Sequence, residues 1–333
     1  MGNNIKVIQY GIGHIGEKIT QYLSERVDIQ IVGAIDSDPS KHGLDIGKLA
    51  GIQKPLGVRI TDNSKALLSK AVADIVVLTT TSSLEKIKPQ IIEIVSYGIN
   101  VVSTCEELAY PWLTKPEIAN EIDEDAKKTN ATVLATGINP GFLMDLLPLT
   151  MTGTCRHVKK VTVERIQNAQ FRRIPFQKKI GAGLSVQQFK EKVKEGAIRH
   201  VGLTESIHMI GNKIGWKIDN TEDIINPVIA EERIITKDIT IEPGQALGVN
   251  QIGRGYVKGE ETITLIFKAT VGEPNPHDRV IIEGTPDIDM TIKDGINGDI
   301  ATCAITINSI PAVIKAPAGL RTMADIETVH CFC

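Results

Sequence analysis

The sequence predicts an α/β protein in two parts. Residues 1–150 read as a doubly wound parallel sheet. Residues 151–295 read as a second, α+β domain with a mostly antiparallel open sheet, and residues 296–333 as a return to the first part. Three observations carry this. Up to about residue 150, strand-sized apolar runs alternate with helical stretches, the pattern of a parallel sheet covered by helices on both faces. A glycine-rich turn, Gly11-Ile12-Gly13-His14-Ile15-Gly16, separates the first strand from the first helix. Beyond residue 151 the pattern turns to successive strands, as in antiparallel sheets. The chain has 333 residues, enough for two cores, since single cores stop growing above roughly 250 residues.

The elements follow in order. Ile5–Tyr10 is a short apolar strand and 15–24 a helix; Ile29–Ile35 is a second strand, ending at Asp36. The buried run 74–78 (DIVVL) is a strand, followed by a helix over 84–97, where Gly98 punctuates the chain. Asn100–Ser103 is the next strand, Pro116–Lys128 a helix and 132–136 a strand. Continuous Val/Ile runs of this kind suit strands buried on both faces. In the second part, strands are expected at 158–166, 229–235, 263–271 and 279–283, with one helix at 185–196. The segment 298–312 again has helical spacing.

Composition excludes several classes of function. The chain is 42% hydrophobic and 23% charged with a net charge of −3, which is ordinary for a globular protein and not for a disordered one. Its densest basic run, Arg172, Arg173, Lys178 and Lys179, is interrupted by Pro175 and Phe176. No nucleic-acid partner is therefore expected. No apolar run approaches the roughly 20 residues that span a bilayer, and the start has no signal-peptide pattern, so a cytoplasmic protein with no membrane partner is expected. The five cysteines, Cys105, Cys155, Cys303, Cys331 and Cys333, are odd in number and scattered, which fits reduced thiols. Cys331-Phe332-Cys333, with His330 before it, reads as a loose terminus, and no metal is expected.

The glycine turn carries the chemistry. Gly11 permits the tight turn, Gly13 lets the backbone approach a pyrophosphate, and Gly16 lets helix and strand pack closely. The helix start, with Ile12, His14 and Ile15 beside it, offers unpaired N–H groups and a positive dipole end to phosphates. Asp36 lies 20 positions beyond Gly16, at the end of the second strand. A carboxylate there accepts hydrogen bonds from a ribose and repels an extra 2′-phosphate. The expected cofactor is NAD or NADP, NAD slightly favoured, with Ser37 and Lys41 near enough to accommodate a phosphate. This is a Rossmann-type domain. Thr79, Thr80 and Thr81 follow the strand at 74–78 on the same edge and are expected to touch the ribose or nicotinamide, with Ser82 or Ser83 capping the next helix.

Other stretches resemble known families. Gly43-Leu44-Asp45-Ile46-Gly47-Lys48-Leu49-Ala50-Gly51 resembles the G-x-D-x-G-x-L-A-G segment of the dihydrodipicolinate reductase N-terminal domain. The segments 103–111 (STCEELAYP), 137–145 (GINPGFLMD) and 175–181 (PFQKKIG) look like the 2,4-diaminopentanoate dehydrogenase family and its related native amine dehydrogenases, over nearly the whole chain. That resemblance implies NAD(P)-dependent oxidative deamination of an amine, or reductive amination in reverse, with a small amine or ketone and ammonia as partners. For the named family, 2,4-diaminopentanoate becomes 2-amino-4-oxopentanoate. The His-His-x-x-Lys signature of the reductase's second domain is absent, since no two histidines are adjacent.

Removing hydride from an amine carbon leaves a cationic iminium, which a nearby carboxylate stabilises more than it stabilises the neutral amine. Glu106 and Glu107 follow the strand at 100–103, where the nicotinamide should lie. Glu106 is the favoured catalytic residue, Glu107 the alternative. It lies four positions beyond Val102, where related homoserine dehydrogenases carry a functional lysine. A purely structural role for the pair, complementing a helix dipole, stays open. Asn139 and Pro140 either face the nicotinamide or merely form a turn, with Phe142 packing near ring or substrate. For a substrate carboxylate the candidates are Arg165, Asn168, Lys178 and Lys179 in the following loop, and His200. Arg165 and Asn168, three apart on a strand, point to opposite faces. Two rival readings are a reductase of a C=N or C=O intermediate, like dihydrodipicolinate reductase or homoserine dehydrogenase, and a non-catalytic dinucleotide-binding redox sensor. The broad second sheet points to a homodimer.

Overall fold

The computed structural model describes residues 4–172 and 174–332. Arg173 of the basic run and Cys333 of the terminal Cys-Phe-Cys lie outside the described residues. The chain divides into two compact units, Met1–Phe142 with Asn297–Cys333, and Leu143–Ile296.

The first unit begins with β1 (Ile5–Tyr10), α1 (His14–Ser24), β2 (Ile29–Ile35), α2 (Ile46–Leu49), β3 (Ile60–Thr61) and α3 (Ser64–Leu68). It continues with β4 (Ile75–Leu78), α4 (Leu84–Ser96), β5 (Asn100–Ser103), α5 (Pro116–Lys128) and β6 (Thr132–Ala135). The second unit holds α6 (Leu146–Thr152), β7 (His157–Asn168), α7 (Ile174–Lys179), α8 (Val186–Lys194), α9 (Leu203–Ile214) and β8 (Asn220–Ile229). It closes with β9 (Ile234–Ile235), β10 (Thr240–Ile241), β11 (Ala246–Val257), β12 (Glu260–Thr270), β13 (His277–Thr285) and β14 (Ile288–Lys293). The chain then returns to the first unit as α10 (Gly298–Asn308), α11 (Ile310–Lys315) and β15 (Gly319–Arg321).

In the first unit seven strands run in the order β15-β6-β5-β4-β1-β2-β3, and every pair is parallel. Strands β4, β5 and β6 carry almost unbroken buried side chains, because helices cover both faces. The chain order reverses between β1 and β4, so the crevice of a doubly wound sheet opens at the carboxyl ends of those two strands. That is where Gly11 and Thr79 lie.

In the second unit the order is β14-β13-β7-β12-β11-β8. Only β7 and β12 pair in parallel, the other neighbours being antiparallel. Its core gathers Val161, Val163, Phe189, Ile207, Leu265 and Ile282.

Three expectations need correction here. The strand expected at 229–235 is two strands, β8 ending at Ile229 and β9 beginning at Ile234, because the polar stretch Glu231-Glu232-Arg233 turns outward. The single expected helix is joined by α7 and α9, so Lys178 and Lys179 end a short helix instead of lying in a loop. Strand β11 is hidden in the sequence by Gly248, Gly253 and Gly255, which weaken a strand pattern. Helix α9 explains two of these: a Cβ on Gly253 would lie 3.1 Å from Ile207 Cδ1, and one on Gly255 2.6 Å from Ile207 Cγ2.

Candidate active site

The glycine turn leaves β1 at Gly11, whose φ is +89° and whose amide donates to the Ile35 carbonyl at 2.8 Å. A Cβ on Gly16 would sit 2.1 Å from the Gly11 carbonyl oxygen, whereas one on Gly13 would meet nothing within 4 Å. Packing therefore demands glycine at 16 but not at 13. The clear space beside Gly13 leaves room for a phosphate-bearing ligand to approach the backbone. Gly13 is the N-cap of α1 and lacks a side-chain cap, and it is exposed, so the start of this helix offers its positive dipole end at an open corner.

One peptide unit of the turn, Gly11–Ile12, is held at both ends. Its carbonyl accepts from Gln9 Nε2 at 2.9 Å and from Thr79 Oγ1 at 2.6 Å. Its N–H, on Ile12, donates to Asp36 Oδ2 at 2.7 Å. Gln9 Nε2 also donates to Thr79 Oγ1 at 2.9 Å. Gln9, fully buried, thus ties β1, the turn and the end of β4 together. The sequence reading missed it; a glutamine inside the apolar run IKVIQY was the available signal.

Asp36 also accepts from the Asp38 amide at 2.9 Å and from Lys41 Nζ at 3.1 Å, and Lys41 donates to the Ile12 carbonyl at 3.0 Å. A carboxylate offers about four acceptor positions, so Asp36 keeps capacity for a ribose hydroxyl while it organises the turn. Ser37 beside it is exposed. These residues fit a nicotinamide dinucleotide: an open cradle at Gly13, a helix N-terminus behind it and a carboxylate at the end of β2. Of the threonines after β4, Thr79 braces the turn, Thr80 donates to Gln90 Oε1 at 2.6 Å and Thr81 Oγ1 accepts from the Ser83 amide at 3.2 Å.

The acidic pair divides. Ser83 occupies the N-cap position of α4 but makes no side-chain cap bond. The Leu84 amide donates instead to Glu107 Oε2 at 2.8 Å. The expected serine cap is thus corrected: a carboxylate from the neighbouring loop takes the place, and its charge complements the helix dipole. Glu106 instead lines a small cleft of about 50 Å3 with Cys105, Thr136, Asn139, Pro140 and Thr302. The cleft lies at the carboxyl ends of β5 and β6. The Asn139–Pro140 peptide is cis, and Gly141 has φ +120°; a Cβ there would lie 2.5 Å from the Gly137 nitrogen, so a turn geometry fixes that glycine. Phe142 is half-buried at the end of the turn.

Two other groups in the cleft went unnoticed in the sequence. Burial pushes the Cys105 thiol up to about 12, so it stays a neutral thiol. Thr136 is 3% exposed, and its Oγ1 is buried with no hydrogen-bond partner among the described residues. Leaving such a group unsatisfied costs about 1–3 kcal/mol.

In the second unit the candidate substrate residues are differently placed. Arg165, 2% exposed, donates through Nη1 to both Asp278 oxygens at 3.1 Å and through Nη2 to the Ile296 carbonyl at 3.1 Å. Asp278 in turn accepts the Ile296 amide at 2.7 Å. Asn168 donates to the Glu273 carbonyl and accepts from the Gln170 amide. Lys178 and Lys179 are exposed. His200 stacks on Phe267 with ring centroids 4.3 Å apart, and Gln251 clasps its backbone. Arg165 and Asn168 are committed to their own unit's structure, and the two lysines remain available to solvent. Among the described residues no group of three or more His, Cys, Asp or Glu side chains is arranged to hold a metal, and no helix is long and apolar enough to cross a membrane.

Comparison with known proteins adds the following. Residues 142–333 match the family described as 2,4-diaminopentanoate dehydrogenase C-terminal domain. Residues 5–105 match the dihydrodipicolinate reductase N-terminus. The chain is 34% identical to a 2,4-diaminopentanoate dehydrogenase of Acetoanaerobium sticklandii, over 97% of this chain and 93% of the relative. It is 22% identical to an amine dehydrogenase of Streptomyces virginiae, over 97% and 96%. The solved structure of an amine dehydrogenase from Mycobacterium smegmatis superposes with a TM-score of 0.86 at 25% identity, covering 99% of this chain and 98% of that one.

Proposed function

The chain belongs to the 2,4-diaminopentanoate dehydrogenase family, an NAD(P)-dependent oxidoreductase acting on amines, and from that premise we propose that it oxidises the 4-amino carbon of 2,4-diaminopentanoate, giving 2-amino-4-oxopentanoate and ammonia. The reading rests on one observation above the others: Glu106 lines the cleft beyond β5 and β6, while Glu107 is engaged on α4.

When bound, the dinucleotide supplies a hydride acceptor. The Gly13 cradle and the start of α1 hold its pyrophosphate, and Asp36 meets its ribose. NAD is favoured because Asp36 opposes a 2′-phosphate, and Lys41, 3.1 Å from that carboxylate, moderates the preference. The Glu106 carboxylate faces the reacting amine. It offsets the positive charge that develops on carbon and nitrogen, which lowers the barrier by differential binding. The same carboxylate accepts a proton from the water that adds to the iminium and returns it to the departing nitrogen. Lys178, Lys179 and His200 remain the second unit's cationic or donor candidates for a carboxylate, and Phe142 is the first unit's candidate for an apolar contact.

The protein is placed in the cytoplasm, where its cysteines persist as thiols, and acts as a homodimer through the open face of the second sheet. Half-buried Ile224, Ile252 and Ile266 form a row there across β8, β11 and β12. A monomeric mass in solution would contradict the dimer.

A reduction screen with NAD+ and NADP+ against 2,4-diaminopentanoate and simple amines tests the activity. Amine-dependent absorbance at 340 nm (the nicotinamide band), reversed by ketone plus ammonium, is expected. Oxidation of NAD(P)H by a C=N or C=O compound without ammonium would support the reductase reading instead. Tight cofactor binding without turnover would support the sensor.

A further inference from the structure

We infer that Thr136 completes a subsite for the ammonia that the reaction releases or consumes, its hydroxyl and the Glu106 carboxylate gripping the nitrogen together. This rests on the amine dehydrogenase reading and assigns it a second residue.

Thr136 is 3% exposed and lines the same cleft as Glu106. Its Oγ1 has no partner among the described residues, although its amide is satisfied by the Ser103 carbonyl at 2.8 Å. Buried hydroxyls are almost always paired, so an orphan beside a catalytic cleft calls for a ligand. The site's chemistry narrows that ligand. The cleft that Thr136 lines holds only about 50 Å3, so the partner of a hydroxyl buried at its wall is a very small species. A threonine hydroxyl both donates and accepts, so it can accept an N–H from ammonium or donate to the lone pair of ammonia. Glu106 is the one acidic or basic side chain among the residues lining the cleft apart from the Cys105 thiol, which burial holds neutral. The Glu106 carboxylate therefore selects a cation or an N–H donor, not an anion. Thr302 Oγ1, on another threonine of this lining, accepts the Ile138 amide at 3.4 Å.

The experiment measures ammonium-dependent NADH oxidation with a ketone substrate in wild type, Thr136→Val, Thr136→Ala and Thr136→Ser, with NADH binding by fluorescence and melting temperature alongside. In the valine and alanine variants the ammonium KM should rise about tenfold, the loss expected for one hydrogen bond to a charged partner. The ketone KM and the NADH Kd should stay at wild-type values, and serine should restore the ammonium KM. Thr136→Val should melt no lower than wild type, because it removes an unpaired hydroxyl without changing shape. An unchanged ammonium KM in a folded variant overturns the subsite. A weakened NADH Kd with an unchanged ammonium KM also overturns it and gives the hydroxyl to the cofactor. Wild type without ammonium-dependent turnover sinks the parent reading and the subsite with it; turnover with an insensitive KM sinks the subsite alone.

Discussion

The Glu107 carboxylate accepts the Leu84 amide at 2.8 Å, so one member of the acidic pair caps a helix and the other is left to the cleft. Two adjacent residues of identical chemistry are thereby assigned different work by geometry alone. Replacing Glu107 with alanine should lower stability by about 0.5–2 kcal/mol, the cost of a lost N-cap, and leave kcat within about twofold. Denaturant unfolding read beside steady-state kinetics checks this.

The clamp on the Gly11–Ile12 peptide makes Gln9 a positioning residue for the cofactor loop. Gln9→Leu should raise the NADH Kd by roughly five- to tenfold, the value of about one hydrogen bond, with the amine KM unchanged. Thr79→Val should act in the same direction. Because both side chains hold the same carbonyl, the double variant should show less than the sum of the two effects. Full additivity would show that they act independently.

Gly13 and Gly16 should respond oppositely to alanine. Gly13→Ala meets no atom within 4 Å, so the fold should melt at the wild-type temperature while NADH binding weakens. Gly16→Ala places a methyl 2.1 Å from a backbone oxygen and should lose both, with a stability cost of about 1–3 kcal/mol or more. Calorimetry and fluorescence titration separate the two.

Thiol chemistry follows burial. The Cys105 and Cys303 thiols are pushed up from 9.0 to about 12 and about 11, in each case chiefly by burial, while Cys331 is exposed. At pH 8.5 iodoacetamide should label Cys331 and spare the two buried thiols, as read by peptide mass. A thiol raised in the folded state contributes stability below the unfolded value near 9 that is lost as pH rises through the folded one. Alkaline unfolding should therefore set in between pH 9 and 12.

The first unit was largely legible because its signals are local. The strand of β2, the helix of α5 and the glycine turn are each written in a few consecutive residues, and Asp36 follows at the spacing that a βαβ unit requires. What was not legible depends on residues distant in sequence. The Glu107 cap joins residues 84 and 107, the Gln9 brace joins 9 to 79, and β11 looks irregular until α9 is seen to need Gly253 and Gly255. Arg165 read as a candidate for a substrate carboxylate because nothing nearby in the sequence announces Asp278, 113 positions away. The pair is a buried ion pair, and breaking it by Arg165→Met alone should cost about 3–5 kcal/mol, measurable by urea unfolding.

The most direct test of the account is Glu106→Gln, which keeps the shape of the side chain and removes its charge. Amine-dependent NAD+ reduction should fall by about 10²–10⁴ in kcat, the usual worth of a positioned acid–base group, with the NADH Kd at the wild-type value. Turnover close to wild type in a folded, cofactor-binding variant would contradict the role of that carboxylate.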